Sequence, residues 1–265
     1  MKVLVICQYY YPEPFRIADV CEELVKRGHE VTVITGLPNY PMGEIYSGYE
    51  KGQKRDEIIN GVKIHRCFTI GRKGGSIKRL LNYFSYAISS SLYVRRIQEE
   101  FNVVFVNQLS PVMMASAGIA YKKKYGKKII LYCLDLWPES LCVGGIKKSS
   151  IVYKVFERIS RRIYRSADEI LIASQMFRQY LIKKFDIVNN KISYLPQYAE
   201  AQFLELKPKE PSETFNLMFA GNIGTAQSVG TVIKAAELLK DEKAVFHIVG
   251  DGIELEKLKK SAAGL

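Results

Sequence analysis

Carboxylates, glycine-bearing turns and a run of tyrosines mark where this chain of 265 residues can do chemistry. In "LDLWPES", residues 134–140, Asp135 follows the apolar run "KKIILYC". Ligands of open parallel sheets sit at the carboxyl ends of strands, so Asp135 faces a cleft, or else caps its own turn through the backbone. In "AGNIGTAQS", residues 220–228, Gly221 and Gly224 permit positive φ and close approach of backbone to a ligand. The helical pattern that follows offers unpaired N–H groups and a positive dipole end to a phosphate, although no Lys or Arg stands between Met218 and Thr231. "VGDG", residues 249–252, repeats the geometry one unit later. After the first apolar run, "QYYYPEPFRI" puts Tyr10, Tyr11, Glu13 and Arg16 at a strand end. The planar fork of Arg16 suits phosphate, and it can equally solvate a helix start. "GLPNYPMGEIYSGY", residues 36–49, is too long for a mere turn and holds Asn39, with Tyr40 and Tyr46 as stacking aromatics.

These loops need elements to hold them. Short continuous apolar runs ("KVLVICQ", "EVTVITG", "VKIHR", "VVFVN", "KKIILYC", "EILIAS", "KISYLP") alternate with helical patterns, the longest from about residue 77 to 100. That alternation predicts an α/β fold with a parallel sheet covered on both faces. "LKPKEPSE", residues 206–213, has two prolines and four charges and reads as a linker. After it come two more strand–helix units. The expected division is a Rossmann-like domain over residues 1–205, a linker over 206–213 and a second domain beginning at 214. Two units are too few to close a doubly wound domain, so residues 214–265 are expected to be a portion of one.

Composition excludes several classes. The five cysteines are odd in number and form no Cys-x-x-Cys pair, which argues against a disulfide framework. No two histidines have ligand spacing, so no metal site is expected. No P-loop, serine elbow or Gly-x-Gly-x-x-Gly fingerprint is present. No window is apolar enough to span a bilayer. Residues 1–200 carry 31 basic and 18 acidic side chains, against 8 and 9 in residues 201–265. The longer, basic stretch should therefore favour an anionic partner. Lys154, Arg158, Arg161 and Arg165 share a helix face, and "YFSYAISSSLYV" gives the long helix an apolar side with Lys78, Arg79, Arg95 and Arg96 at its ends. These suit an anionic membrane surface. No nucleic-acid recognition module is present, so nucleic acid is not expected as a partner.

"GHEVTVITGLPNYPMGEIYSGY", "LDLWPESL", "RSADEILIAS", "YLPQYAE", "AGNIGTAQS" and "VFHIVGDG" occur in this order. Together they resemble the retaining glycosyltransferases of family four, and within them the bacterial surface-polysaccharide branch with its fucosamine-type transferases of O-antigen and capsule. The resemblance implies a GT-B fold of two Rossmann-like domains. The first would bind a glycan acceptor, often lipid-linked, and the second a nucleotide-sugar, with no further cofactor. It implies a hexosyltransferase-type enzyme that is cytoplasmic and peripheral at the inner face of the plasma membrane. Family members run on to a Glu-x7-Glu motif, so the resemblance also implies a second domain cut short here and a chain of reduced or no activity. Catalytic roles fall to Asp135 and Glu139, which would orient the acceptor hydroxyl or support charge at the sugar carbon. Acceptor contacts fall to Tyr11, Arg16, Asn39, Tyr40 and Trp137. Donor contacts fall to Gln197, Gly221, Asn222, Gly224, Gln227, Gly250, Asp251 and Gly252. Relatives carry Gly-Gly where this chain has Pro14-Phe15, and cations where it has Asn222 and Gln227. Two other readings stand beside this one: a nucleotide-sugar 2-epimerase of the same fold, and a non-catalytic fragment that binds acceptor or membrane.

Overall fold

Val- and Ile-rich runs bounded by Gly, Asn and Pro become strands in the computed structural model, which describes residues 1–199, 201–207, 210 and 212–264. The chain divides into two compact units, Met1–Tyr198 and Ala199–Leu265. The first therefore ends seven residues before the boundary expected at 205. Pro208, Lys209 and Pro211 of the expected linker lie outside the described residues.

The strands of the first unit are β1 (Lys2–Ile6), β2 (Glu30–Gly36), β3 (Asp56–Ile59), β4 (Val62–Cys67), β5 (Val103–Gln108), β6 (Lys128–Cys133), β7 (Glu169–Ile172) and β8 (Ile192–Tyr194). Its helices are α1 (Ile17–Lys26), α2 (Ser76–Arg96), α3 (Ser116–Tyr125), α4 (Ser140–Val143), α5 (Ile151–Ser166) and α6 (Met176–Phe185). One sheet runs β3-β4-β2-β1-β5-β6-β7-β8. The pairing is parallel from β4 to β8, with Lys2 opposite Glu30 and Val3 opposite Val103. The expectation of a wholly parallel sheet is corrected at one edge, where β3 pairs antiparallel with β4. Asn60 and Gly61 join them at φ 50° and 79°, the left-handed pair that a two-residue hairpin requires.

Side chains of β1 alternate between two cores, as the period of two demands. Leu4 and Ile6 enter a large core with Val104, Val106, Leu131 and Ile170, covered by Tyr83 and Tyr86 of α2, Tyr121 of α3, Phe156 and Tyr164 of α5 and Phe185 of α6. Val3, Val5 and Cys7 enter a smaller core with Val31, Val33 and Ile64, covered by Ile17 and Cys21 of α1. Strands buried on both faces read as continuous apolar runs, which is why they were legible.

The second unit holds β9 (Phe215–Ala220), α7 (Gly230–Leu238), β10 (Ala244–Val249) and α8 (Leu255–Ser261). β9 and β10 pair in parallel with Phe215 opposite Ala244, and Ile223, Val229, Ile233 and Leu258 form a small core.

Candidate functional site

Three of the loops singled out in the sequence follow β1, β2 and β6 in the first unit. Glu13 joins the first two. Its Oε1 accepts the backbone N–H of Asn39 (2.8 Å) and of Tyr40 (2.7 Å), and its Oε2 accepts that of Tyr10 (3.3 Å). The carboxyl is buried. Burial pushes its pKa up to about 7, against the three backbone donors and Arg72, which favour the ionised form.

Asn39 was expected to touch the acceptor, but its side chain is fully buried and already engaged. Its Nδ2 donates to Leu37 O (2.8 Å), and its Oδ1 accepts from Asn82 Nδ2 (3.3 Å). Asn82 Oδ1 in turn accepts from Gln8 Nε2 (2.7 Å). This network fixes the β2 loop against α2. Tyr10, expected in the cleft, is likewise buried in the smaller core.

The exposed surface here is aromatic. Tyr11 and Tyr40 are exposed, and the Tyr40 ring meets Phe15 edge-on at 5.1 Å between centroids. The Arg72 guanidinium lies over Tyr40 at 4.8 Å and over Tyr9 at 5.7 Å. The sequence reading missed Arg72. It follows β4, so the rule that strand ends carry ligands could have found it. Tyr11 is anchored through its carbonyl, which accepts from Nη2 of the buried Arg66 (2.9 Å). Arg16 donates to the carbonyl of Tyr198, lies under that ring at 5.4 Å and accepts the Tyr198 hydroxyl at its own carbonyl (2.9 Å). It is thus a tie between the start of α1 and the segment after β8.

The three expected residues after β6 separate into different roles. Asp135 is half-buried; its Oδ1 accepts Ser140 Oγ (2.6 Å) and its Oδ2 accepts Ser110 Oγ. Two side-chain hydroxyls, rather than its own backbone, hold it. Trp137 corrects an expectation. At 2 % exposure it cannot stack on an acceptor. It packs edge-on against Phe156 (5.4 Å) and Tyr83 (6.3 Å), and Nε1–H donates to Ser110 Oγ (2.8 Å). Glu139 is also committed. Its Oε1 accepts Tyr153 Oη (2.8 Å) and Tyr180 Oη (3.0 Å), and Lys148 Nζ lies 2.7 Å from its Oε2. Burial pushes its pKa up, but Lys148 and the two hydroxyls outweigh that and hold it below the usual carboxylate range.

Beside Arg16 a cavity of about 590 Å³ opens at the carboxyl ends of β5, β6, β7 and β8, lined by Phe15, Asn107, Tyr132, Leu134 and Gln197 among others. Gln197 Nε2 donates to Tyr132 Oη (3.2 Å), which donates to Leu195 O (3.1 Å).

Within the second unit the glycine turns close on each other. Gly221 N donates to Val249 O (2.9 Å) and Ile223 N donates to Asp251 O (2.8 Å). Gly250 and Gly252 have φ 154° and 158°, and a Cβ on either would lie 1.8 Å from Gly221 O or 2.3 Å from Ile223 O. Close backbone packing therefore demands these two glycines. Gly221 and Gly224 do not use positive φ as expected; Gly224 is extended at φ −115°. A Cβ on Gly224 would fall 2.7 Å from Asn222 Nδ2, which donates to Gln227 Oε1 (3.3 Å). A 3₁₀ turn, Thr225–Gln227, separates this loop from α7, which begins only at Gly230. With the Gly221 and Ile223 amides spent on the neighbouring turn, the Asn222–Gln227 side-chain pair, rather than the first turn of α7, is what this end presents.

A mostly parallel sheet with its loops gathered at the carboxyl ends, followed by a second strand–helix unit, is the architecture of GT-B glycosyltransferases. The catalytic domain of starch synthase IV from Arabidopsis thaliana, bound to ADP and acarbose, matches 98% of this chain and 71% of its own at 10% identity and TM-score 0.61. HepE of Anabaena, in complex with UDP and glucose, matches 99% and 65% at 12% identity and TM-score 0.58. These likenesses establish the fold. Residues 16–198 match the model of Glycosyltransferase Family 4, and the chain belongs to that family. Among curated relatives, the colanic acid biosynthesis glycosyl transferase WcaI of Escherichia coli (strain K12) is 28% identical over 285 residues. That alignment takes in 99% of this chain and 69% of WcaI.

Proposed function

We propose that the chain belongs to an enzyme moving a hexose-type sugar from a nucleotide-sugar to a lipid-linked glycan, of the polyprenyl-diphosphate kind, in cell-surface polysaccharide synthesis. The observation that carries this is the family match over residues 16–198, a span that takes in Tyr40, Arg72 and the Asp135 loop. WcaI, named for colanic acid biosynthesis, supports the polysaccharide setting. ADP and UDP in the two solved structures of the same fold support a nucleotide-sugar donor. The excess of basic residues over positions 1–200 supports an anionic acceptor at the inner membrane face.

In this reading the exposed Tyr11 and Tyr40 offer ring faces to a sugar, and Arg72 beside Tyr40 offers a cation to its phosphate. Asp135 acts on the acceptor hydroxyl. A carboxylate has about four lone-pair sites, and Ser110 and Ser140 use one on each oxygen, so acceptor capacity remains. Glu139, held by three partners, positions the loop rather than moving a proton. On the donor side Asn222 meets the diphosphate, together with those amides of residues 221–224 and 250–252 that the two turns do not spend on each other. The family resemblance leads us to expect retention at the sugar carbon.

The test offers labelled nucleotide-sugars and a polyprenyl-diphosphate-linked glycan to this chain and, in parallel, to a full-length relative, with NMR of the product's anomeric carbon. A glycolipid with the donor's anomeric configuration is expected. Deuterium entering at the sugar C2 with no glycolipid formed overturns the proposal in favour of epimerisation.

A further inference from the structure

Helix α2 is apolar on two opposite faces. One face carries Asn82, Tyr83, Tyr86, Ala87, Ser90 and Val94 and is buried on the sheet. The other carries Ile77, Leu81, Phe84, Ile88 and Leu92, spaced by four, three, four and four residues and 39–75 % exposed. A helix lying on a soluble domain normally turns charged and polar groups outward. At 1.5 Å per residue this outward stripe is roughly 22 Å long. Phe84 sits 6.2 Å from Phe156 of α5, whose amino-terminal half also exposes Ile151, Val152 and Val155.

The charge around the stripe has one sign. Ser76–Arg96 contains no Asp or Glu. Lys78 stands at its start and Arg95 and Arg96 at its end, with Lys154, Arg158 and Arg162 on the exposed face of α5. None of these six cations enters a salt bridge among the described residues. By contrast Arg161 and Arg165 pair with Asp186, and Glu157 of α5 is taken by Arg161 and Lys184. The basic face read from the sequence is thus half neutralised, and its unpaired half borders the apolar stripe.

We propose that the outer face of α2, with the start of α5, docks monotopically on an anionic lipid bilayer. The apolar stripe enters the headgroup boundary and the six cations meet lipid phosphates, the pairing that holds interfacial helices. Charge decides for this occupant over a second copy of the chain, since two such faces would set unpaired cations against each other. The placement also serves the site. α2 starts just past the carboxyl end of β4, and its Asn82 holds Gln8 and Asn39, so the docked face adjoins the loops that would receive a lipid-linked acceptor. The inference deepens the membrane aspect of the function proposed above and rests on it. Vesicle binding needs no acceptor, so the two can fail separately.

The test is flotation of the 265-residue chain with vesicles of phosphatidylcholine alone or with phosphatidylglycerol, at low and high salt. Binding to the anionic vesicles is expected, weakened by salt. Substituting Leu81→Ser with Ile88→Ser should weaken it by about tenfold or more, since two apolar anchors are lost. Arg95→Glu with Arg96→Glu should remove most of the preference for phosphatidylglycerol. Transfer to a water-soluble short-chain acceptor should be unchanged in both variants. Circular dichroism checks that these exposed substitutions leave the fold intact. Wild-type binding by either double variant, equal binding to both vesicle types, or a dimer dissolved by Leu81→Ser with Ile88→Ser in a chain that ignores vesicles would each overturn the proposal.

Discussion

Glu13 is the joint between the first two loops of the site, and its removal can be worked through. Glu13→Ala leaves three backbone N–H groups without their acceptor, two of them on the buried Tyr10 and Asn39. An unsatisfied buried donor costs about 1–3 kcal/mol, so these two alone amount to about 2–6 kcal/mol. Glu13→Gln is more discriminating. Its amide oxygen can keep the Asn39 and Tyr40 bonds and loses only the long contact to Tyr10, about 1–3 kcal/mol. The pH dependence then separates acid from amide. The native carboxyl has its pKa raised from the ordinary 4.5 to about 7, so the unfolded chain releases its proton first. The stability contributed by the protonated form is present below pH 4.5 and is lost as pH rises towards 7. At about 1.36 kcal/mol per pH unit the loss reaches about 3 kcal/mol, and Gln cannot share it. Urea denaturation of both proteins, followed by Trp137 fluorescence from pH 4.5 to 8, should show Glu13→Gln gaining on the wild type by that amount. A flat difference, or a wild type that gains as pH rises, would refute the argument that burial outweighs the three amide donors.

Four further outcomes follow from the same geometry. Trp137→Ala should cost about 3–5 kcal/mol by far-UV dichroism in urea, whereas Trp137→Phe, losing mainly the bond to Ser110, should cost about 1. Asp135→Asn should change stability by about 1 kcal/mol or less while lowering transfer by about a hundredfold or more; intact transfer would leave Asp135 a structural turn residue. Glu139→Gln should be less stable than wild type above pH 4.5. That deficit should vanish as pH falls through the lowered native pKa, because protonation removes the wild type's charge partnership with Lys148. Gly250→Ala must push apart a pair of backbones that leave 1.8 Å for a Cβ, so hydrogen exchange should quicken in β9 and β10 and stay unchanged in β1 and β5.

What was legible in the sequence was what local pattern determines. Doubly buried strands, the Gly126 helix end and the placement of loops at strand ends all follow from periodicity and backbone preference. The β3–β4 hairpin was missed: Asn60-Gly61 announces it, but the charged start of "DEIINGVKI" masks the first strand. Roles within the site were less legible because they are settled by partners distant in sequence. A lone Trp beside a Pro after a strand looks like a binding platform until Tyr83 and Phe156, 54 residues before and 19 after it, close over the ring. Glu139 looks like an acid or base until Tyr153, Tyr180 and Lys148 claim its oxygens.

The glycine turns carry the same lesson into energetics. A Gly-x-x-Gly turn announces close backbone approach, but the pattern does not say whether a ligand or another strand approaches. Here Gly250 and Gly252 are required by Gly221 O and Ile223 O. Their packing would hold the loop amides in one arrangement before any ligand arrives, and pre-formed donors are what a diphosphate site needs. In the function proposed here, structural and ligand demands on these glycines therefore coincide. They can be separated only where they differ, which is at Gly224. Its Cβ would meet the movable ends of Asn222 and Gln227 rather than backbone, so Gly224→Ala should leave the second unit's stability nearly intact while disturbing the one uncharged side-chain pair that the turn offers to an anion.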